Sequence, residues 1–316
     1  MTHVIELARR AARLRAIPLV ALATFFGACN ATDSLTSTSE VSDTPADVPT
    51  AAEPTDVSLS SSFRGGIPIG YFGMPTTTFG SVYNGAFRST DPSYMTKTLA
   101  AVKARGGKIV MNLAGKGKYY TVNGNFSLTK WKARVARYRN VNFSSYVKDG
   151  TLVAHYLIDE PGDSHNWGRP ISGATLEEMA RYSKSLWPSL PTVVRVDATY
   201  LAKYSTSYRA LDAAWSQYLM RKGPVTSYIK ANISAAQKKG LALVTGLNVT
   251  HGGLNRRQMS ATQVRAFGSA LLATSYPCAF ISWDYKSSYT SGSIHDAMRY
   301  LASKAAGRAS KSCRSI

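Results

Sequence analysis

Short apolar runs alternate with longer amphipathic stretches along most of this chain, and that alternation restricts the fold more than any other feature. The apolar runs, rich in β-branched and aromatic residues, stand at 67–73 (IPIGYFG), 108–114 (KIVMNLA), 152–159 (LVAHYLID), 192–198 (TVVRVDA), 212–219 (DAAWSQYL), 241–249 (LALVTGLNV) and 279–285 (AFISWDY). Helix-like stretches lie between them at 91–107, 128–141, 172–187, 225–240, 260–274 and 293–307. In the third of these, Thr175 and Glu178 have the spacing of a capping box. Strand and helix in turn predict parallel strands joined by helical crossovers. The strand runs are continuously apolar rather than alternating, as in strands covered on both faces. The expected fold is α/β, a (β/α)8-like barrel with seven clear strands. An eighth strand is hidden near 84–90 (NGAFRST), or the barrel is irregular. A doubly wound sheet is the rival, but the stretch after the first strand, GYFGMPTTT, lacks the Gly-x-Gly-x-x-Gly phosphate turn. There is likewise no Walker motif and no Gly-x-Ser-x-Gly elbow, so no nucleotide or other cofactor is expected.

The chain before residue 63 has a different character. Arg9, Arg10, Arg13 and Arg15 precede the apolar run AIPLVALATFFGA, which is too short to span a bilayer well. This is the pattern of a signal peptide over 1–28. FGAC, Phe26 to Cys29, resembles a bacterial lipoprotein signal, with Phe26 standing where Leu is usual. The resemblance implies a lipid on Cys29 and attachment to a membrane; plain secretion is the alternative. Residues 29–62 are rich in Ser, Thr, Pro and Ala, carry six acidic residues and no Lys or Arg, and show no apolar period. Such a segment buries too little surface to offset chain entropy and reads as a disordered tether. The remaining 63–316 suits one barrel-sized domain. An exported protein, in the cell envelope or secreted, is expected. With Cys29 acylated, Cys278 and Cys313 are left as an even pair for a disulfide at the base of the domain. No Cys-x-x-Cys or His/Cys cluster offers zinc-ligand spacing, so no metal is expected.

From Arg64 onward there are 34 basic and 11 acidic residues. That field favours polyanions, anionic glycans or a negatively charged surface. The basic residues are scattered, as in KARGGK, KGK, KWKARVARYR and RKG, without a zinc finger, recognition helix or RNA-binding aromatic pattern. No specific nucleic-acid partner is expected, and much of the charge reads as solvated surface on a monomer.

Against so much basic charge, the few carboxylates are informative. Barrels of this kind carry their sites at the C-terminal ends of the strands. Glu177, Glu178 and Asp296 fall in helix-like stretches, Asp91, Asp149 and Asp163 in loops or caps, and Asp212 at the wrong end of its strand. Asp159, Glu160, Asp197 and Asp284 remain as candidate catalytic residues on one rim. Candidate substrate-binding residues around them are Tyr71, Asn112, Trp167, Trp215, Gln217, Tyr218, Asn248, His251 and Trp283. Aromatic faces stack on sugar rings, while amides and carboxylates bind hydroxyls. Two carboxyl groups between such walls suit glycoside hydrolysis: one protonates the leaving oxygen, and the other attacks carbon or activates water.

Residues 64–316 resemble the glycoside hydrolase-type TIM barrels. IDEP, Ile158 to Pro161, matches the strand ending, acidic residue then Pro, that supplies their acid/base, and ISWDY, Ile281 to Tyr285, resembles their last strand. The resemblance implies a hydrolase acting on a polysaccharide or oligosaccharide. Retaining members of the largest such clan also carry a Glu on the seventh strand, which is missing here. Asp197 or Asp284 then serves instead, the reaction inverts, or the barrel only binds glycan. A polyanion-binding surface protein is a third alternative. Each residue also has a plainer role open to it. Adjacent residues on a strand point to opposite faces, so only one of Asp159 and Glu160 is expected in the mouth. Asp197 and Asp284 fit local ion pairs with Arg195 or Lys286, His155 fits a core histidine, and Trp215 and Trp283 fit core packing.

Overall fold

The computed structural model describes residues 65–80 and 82–314. The expected signal peptide, the lipidation site Cys29 and the 29–62 tether lie outside them. Eight parallel strands close into a barrel: β1 (Ile69–Phe72), β2 (Gly85–Ser89), β3 (Lys108–Asn112), β4 (Leu152–Asp159), β5 (Thr192–Arg195), β6 (Ala213–Tyr218), β7 (Ala242–Leu247) and β8 (Ala279–Ser282). Every strand pairs with its sequence neighbours, and β1 pairs with β8 to complete the ring. This is the α/β TIM-barrel architecture, and the eighth strand is the one hidden in 84–90.

Longer helices pack outside: α1 (Met95–Ala104), α2 (Leu128–Ala136), α3 (Gly173–Leu186), α4 (Val225–Lys238), α5 (Ala261–Leu272) and α6 (Gly292–Ala306). Their starts follow from local hydrogen bonding. Ser127 caps α2, and Ser260 with Gln263 forms a capping box on α5. The capping box expected at Thr175 and Glu178 does not form. Ser172 caps α3 by accepting from the Thr175 amide, while Glu178 pairs with Lys132 (2.7 Å) and Arg181 (2.7 Å). Two crossovers carry no long helix: β1 to β2 uses a 3-10 turn at Thr76–Thr78, and β5 to β6 uses only Ala198–Leu201.

Two apolar layers hold the barrel together. Between sheet and helices lies the larger one, including Leu99, Trp131, Leu157, Ile158, Leu176, Phe267 and Leu301. Inside the ring, Val110, Ala154, Tyr156, Val193, Trp215, Val244 and Ile281 form a separate core. The upper part of this inner core is aromatic: Phe72 lies 4.2 Å from Phe87 and 4.5 Å from Trp215, ring centre to ring centre. The barrel is therefore filled, not a pore. At its base, Cys278 and Cys313 are joined, with Cα atoms 5.3 Å apart, and both are buried in the inner core. The β1–β2 seam needs glycine, because a Cβ on Gly70 would stand 1.8 Å from the Gly85 carbonyl oxygen.

One irregularity decides how the mouth is built. Along β4 and β5, Tyr156 faces Val193 but Asp159 faces Arg195, so β4 spends one residue more than its partner. Leu157 and Ile158 consequently both pack on the helix side. The extra residue is a β-bulge, which re-aims the strand end.

Candidate functional site

The bulge brings Asp159 into the mouth, on the same side as Arg195. This corrects the expectation from simple alternation that one of Asp159 and Glu160 turns away. The Asp159 carboxylate accepts from the Arg195 guanidinium, and Glu160 Oε1 lies 3.2 Å from Arg195 Nη2. A third contact runs from Arg195 to the Gln217 side-chain oxygen. Arg195 is only 7% exposed and lies over the rings of Phe72 (5.4 Å) and Trp283 (5.0 Å). Burial works against the charged guanidinium, but Tyr156, Asp159 and Glu160 beside it outweigh that and hold its pKa above the usual value. Arg195 is thus the hub of the mouth, and it pairs with neither Asp197 nor Asp284.

Glu160 follows directly after β4 with φ of 37°, a left-handed conformation that side chains other than glycine rarely adopt. Its amide donates to the Arg195 carbonyl (2.9 Å), and its own carbonyl accepts from Asp163 (2.9 Å). Trp167 Nε1 donates to the carbonyls of both Asp159 (2.9 Å) and Glu160 (3.2 Å). Strain held in place by this many bonds is a feature of functional sites. The Glu160 side chain is 55% exposed and lines a pocket of about 320 Å³ at the C-terminal ends of β4 to β7.

Asp197 lines the same pocket. It is held by Lys222 Nζ (2.6 Å) and the Tyr228 hydroxyl (2.7 Å). Trp215, Gln217 and Asn248 also contribute to the wall. Trp215 is fully buried, with Nε1 donating to the Ile281 carbonyl (3.2 Å). Gln217 is 6% exposed, and its Nε2 has no hydrogen-bond partner. Asn248 Oδ1 accepts from the His251 amide (2.9 Å) and closes the loop after β7.

The other candidates lie elsewhere. Tyr71 and Tyr218 point to the helix side, not the mouth, because each is one residue out of step with the inward-facing Phe72 and Gln217. Tyr71 packs on Tyr83 and Tyr289, and Tyr218 packs on Tyr228 and Phe267. Trp167 is buried against Tyr120 and supports the Asp159–Glu160 backbone. Asn112 bonds the amide and carbonyl of Gly115 (3.0 Å each) and shapes the loop after β3. His251 is exposed, and Asp284 stands outside the pocket lining with its Oδ1 buried and unpartnered. His155 is a core histidine, stacked on Trp131 and bonded to Ser183 (2.8 Å). Lys203, Arg221 and Lys222 also line the pocket. They come from loops without a hydrophobic period, so no pattern in the sequence marked them. Among the described residues, no group of three or more His, Cys, Asp or Glu side chains is placed to hold a metal ion.

Fold and mouth together define an α/β barrel protein with its polar pocket at the usual end. No family model matches the chain, and no curated protein matches it. Solved structures do. A GH5_18 protein from Bifidobacterium longum subsp. infantis is 9% identical, with a TM-score of 0.52 over 72% of this chain and 71% of that one. A fungal endo-beta-N-acetylglucosaminidase of glycosyl hydrolase family 18 is 13% identical, with a TM-score of 0.47 over 75% of this chain and 98% of that one. A D-psicose 3-epimerase is 12% identical, with a TM-score of 0.45 over 76% and 96%. At 9% identity the likeness to the Bifidobacterium protein is one of fold.

Proposed function

We propose that the protein is an exported glycoside hydrolase acting on a polysaccharide or oligosaccharide in the pocket above β4 to β7. The observation that carries this reading is the convergence of Glu160 and Asp197 on one cavity at the C-terminal end of the barrel, with Trp215, Gln217 and Asn248 around them. Two carboxyl groups on a sugar-sized pocket are what glycoside hydrolysis requires. In this reading Glu160 gives its proton to the leaving glycosidic oxygen. Asp197, positioned by Lys222 and Tyr228, attacks the anomeric carbon or draws a proton from water. Asp159 acts through Arg195, holding the guanidinium in place. The Bifidobacterium GH5_18 protein shares the fold, which is consistent with this reading. Attachment through a lipid on Cys29 belongs to the same proposal; loss of fatty-acid labelling in Cys29→Ser tests it.

A second reading has its own observation. Arg195 occupies the centre of the mouth and engages both Asp159 and Glu160. A barrel whose acidic pair is tied up in this way can bind glycan without cleaving it. Reducing-end release from a broad glycan panel separates the two. Glu160→Gln keeps shape and hydrogen bonding but removes the acidic proton, and a loss of about 10²–10⁴-fold in turnover is expected. Full activity in that variant removes Glu160 from the acid role. No activity of the parent on any glycan, with binding retained, gives the binding barrel.

A further inference from the structure

We infer that the pocket above β4 to β7 selects a sugar bearing an oxyanion substituent, a uronate carboxylate or a sulfate ester, rather than a neutral sugar. This rests on the reading of the mouth as a glycan site and names the class of glycan. The charges lining the pocket separate into two groups. Arg195 is matched by Asp159 and Glu160, and Lys222 by Asp197. Lys203 and Arg221 line the same cavity, are exposed, and pair with no carboxylate among the described residues. Exposed cations alone are ordinary surface.

A second observation points independently to a ligand. Gln217 Nε2 is buried and unpartnered, on a side chain whose oxygen is already taken by Arg195. Leaving a buried N–H donor unbonded is costly. Gln217 lines the pocket, and an acceptor placed in the cavity would relieve that cost. An anionic oxygen accepts more strongly than a hydroxyl. The Arg195 contact fixes the amide with its oxygen on the guanidinium and leaves Nε2 without a protein partner. Lys203 and Arg221 are exposed residues of the pocket lining, in the connection from β5 to β6 and the turn after β6. A sugar whose substituent reaches toward Gln217 while its negative charge is shared with these two cations fits all three. The charged groups of the mouth carry one more positive than negative charge, which a neutral sugar would leave uncompensated.

Short oligosaccharides test this, because long polyanions would bind any surface this basic. The probes are oligogalacturonates with their carboxyl-reduced counterparts, and carrageenan-derived sulfated oligosaccharides with their desulfated counterparts. Affinity is measured by calorimetry at low salt for the parent, for Lys203→Ala/Arg221→Ala, and for Lys238→Ala/Lys304→Ala. The last pair removes equal charge at exposed positions near the other ends of α4 and α6. The charged member of at least one probe pair is expected to bind about tenfold or more tightly than its neutral counterpart. That preference should collapse in the Lys203/Arg221 variant and survive in the Lys238/Lys304 variant. Which probe pair shows it distinguishes carboxylate from sulfate. Equal binding of charged and neutral members, an equal loss in both variants, or no binding of any charged oligosaccharide overturns the inference. Charged binding without cleavage sustains it while sinking the hydrolase reading. Cleavage of neutral glycans with no charge preference does the reverse.

Discussion

Replacing Arg195 with Met is the sharpest perturbation of the mouth, because one side chain holds most of its polar parts. The side chain keeps its approximate length but loses the charge and every donor. Breaking a buried ion pair by removing one partner costs about 3–5 kcal/mol when the survivor is fully buried. Here Asp159 is 37% exposed and Glu160 more so, and water recovers part of that cost. The Gln217 oxygen, by contrast, loses its partner in a nearly dry site, a further cost of about 1–3 kcal/mol. Two ring contacts, on Phe72 and Trp283, lose their cation at about 0.5–1 kcal/mol each. Met regains some of this by packing on the same rings. The net expectation is a destabilisation of about 3 kcal/mol, or a fall in Tm of about 6–12 °C for a domain of this size. Guanidinium unfolding followed by tryptophan fluorescence measures it. In the double variant Asp159→Asn/Arg195→Met the losses should not add, with a coupling energy of about 1 kcal/mol or more. A single-variant cost under about 1 kcal/mol, together with no coupling, would refute Arg195 as the hub.

His155 is held neutral by burial, its pKa pushed down to about 3, while in the unfolded chain it titrates near 6.5. The unfolded state then binds the extra proton between those values, so stability falls as pH falls, by about 2 kcal/mol from pH 7 to 5. Denaturation midpoints at the two pH values should show this in the parent and lose most of it in His155→Gln; equal slopes would sink the assignment. The Cys278–Cys313 bridge spans 35 residues, and the chain-entropy relation assigns it about 4 kcal/mol. Cys278→Ala/Cys313→Ala should lower stability by that order, and an unchanged unfolding midpoint would contradict it. Glu177 accepts from the amides of Arg209 (3.1 Å), Ala210 (2.9 Å) and Leu211 (3.1 Å). Glu177→Gln sets an NH2 group against one of these donors and should cost about 2 kcal/mol, read by urea titration.

How much could be read beforehand depended on what each residue answers to. The β4 run, 152–159, coincides with the strand because only His155 interrupts its apolar and aromatic residues before Asp159. Strand β2 was faint because GAFRS carries a Gly and an Arg within five residues. Tyr71 and Tyr218 sit near the right ends of their strands, yet parity with Phe72 and Gln217 turns them to the helices. That distinction was available in the order of residues. Asp159 was different. A bulge leaves no mark in composition, and only the pairing with β5 shows that the alternation slips. Arg195 enters the sequence reading only as an ion-pair partner for Asp197 or Asp284, whereas its partners come from the end of β4 and from β6, far away in the chain.

The slip in β4 makes the aim of the strand's end separable from the closure of the ring. Below Tyr156 the barrel obeys one phase, and above it another. Deleting Leu157 or Ile158 would remove the extra residue and leave Tyr156, one outward residue and Asp159 in plain alternation, with Asp159 still facing Arg195. With three steps from Tyr156 to Asp159, unbroken alternation would turn the carboxylate outward, and the extra outward residue turns it back into the mouth.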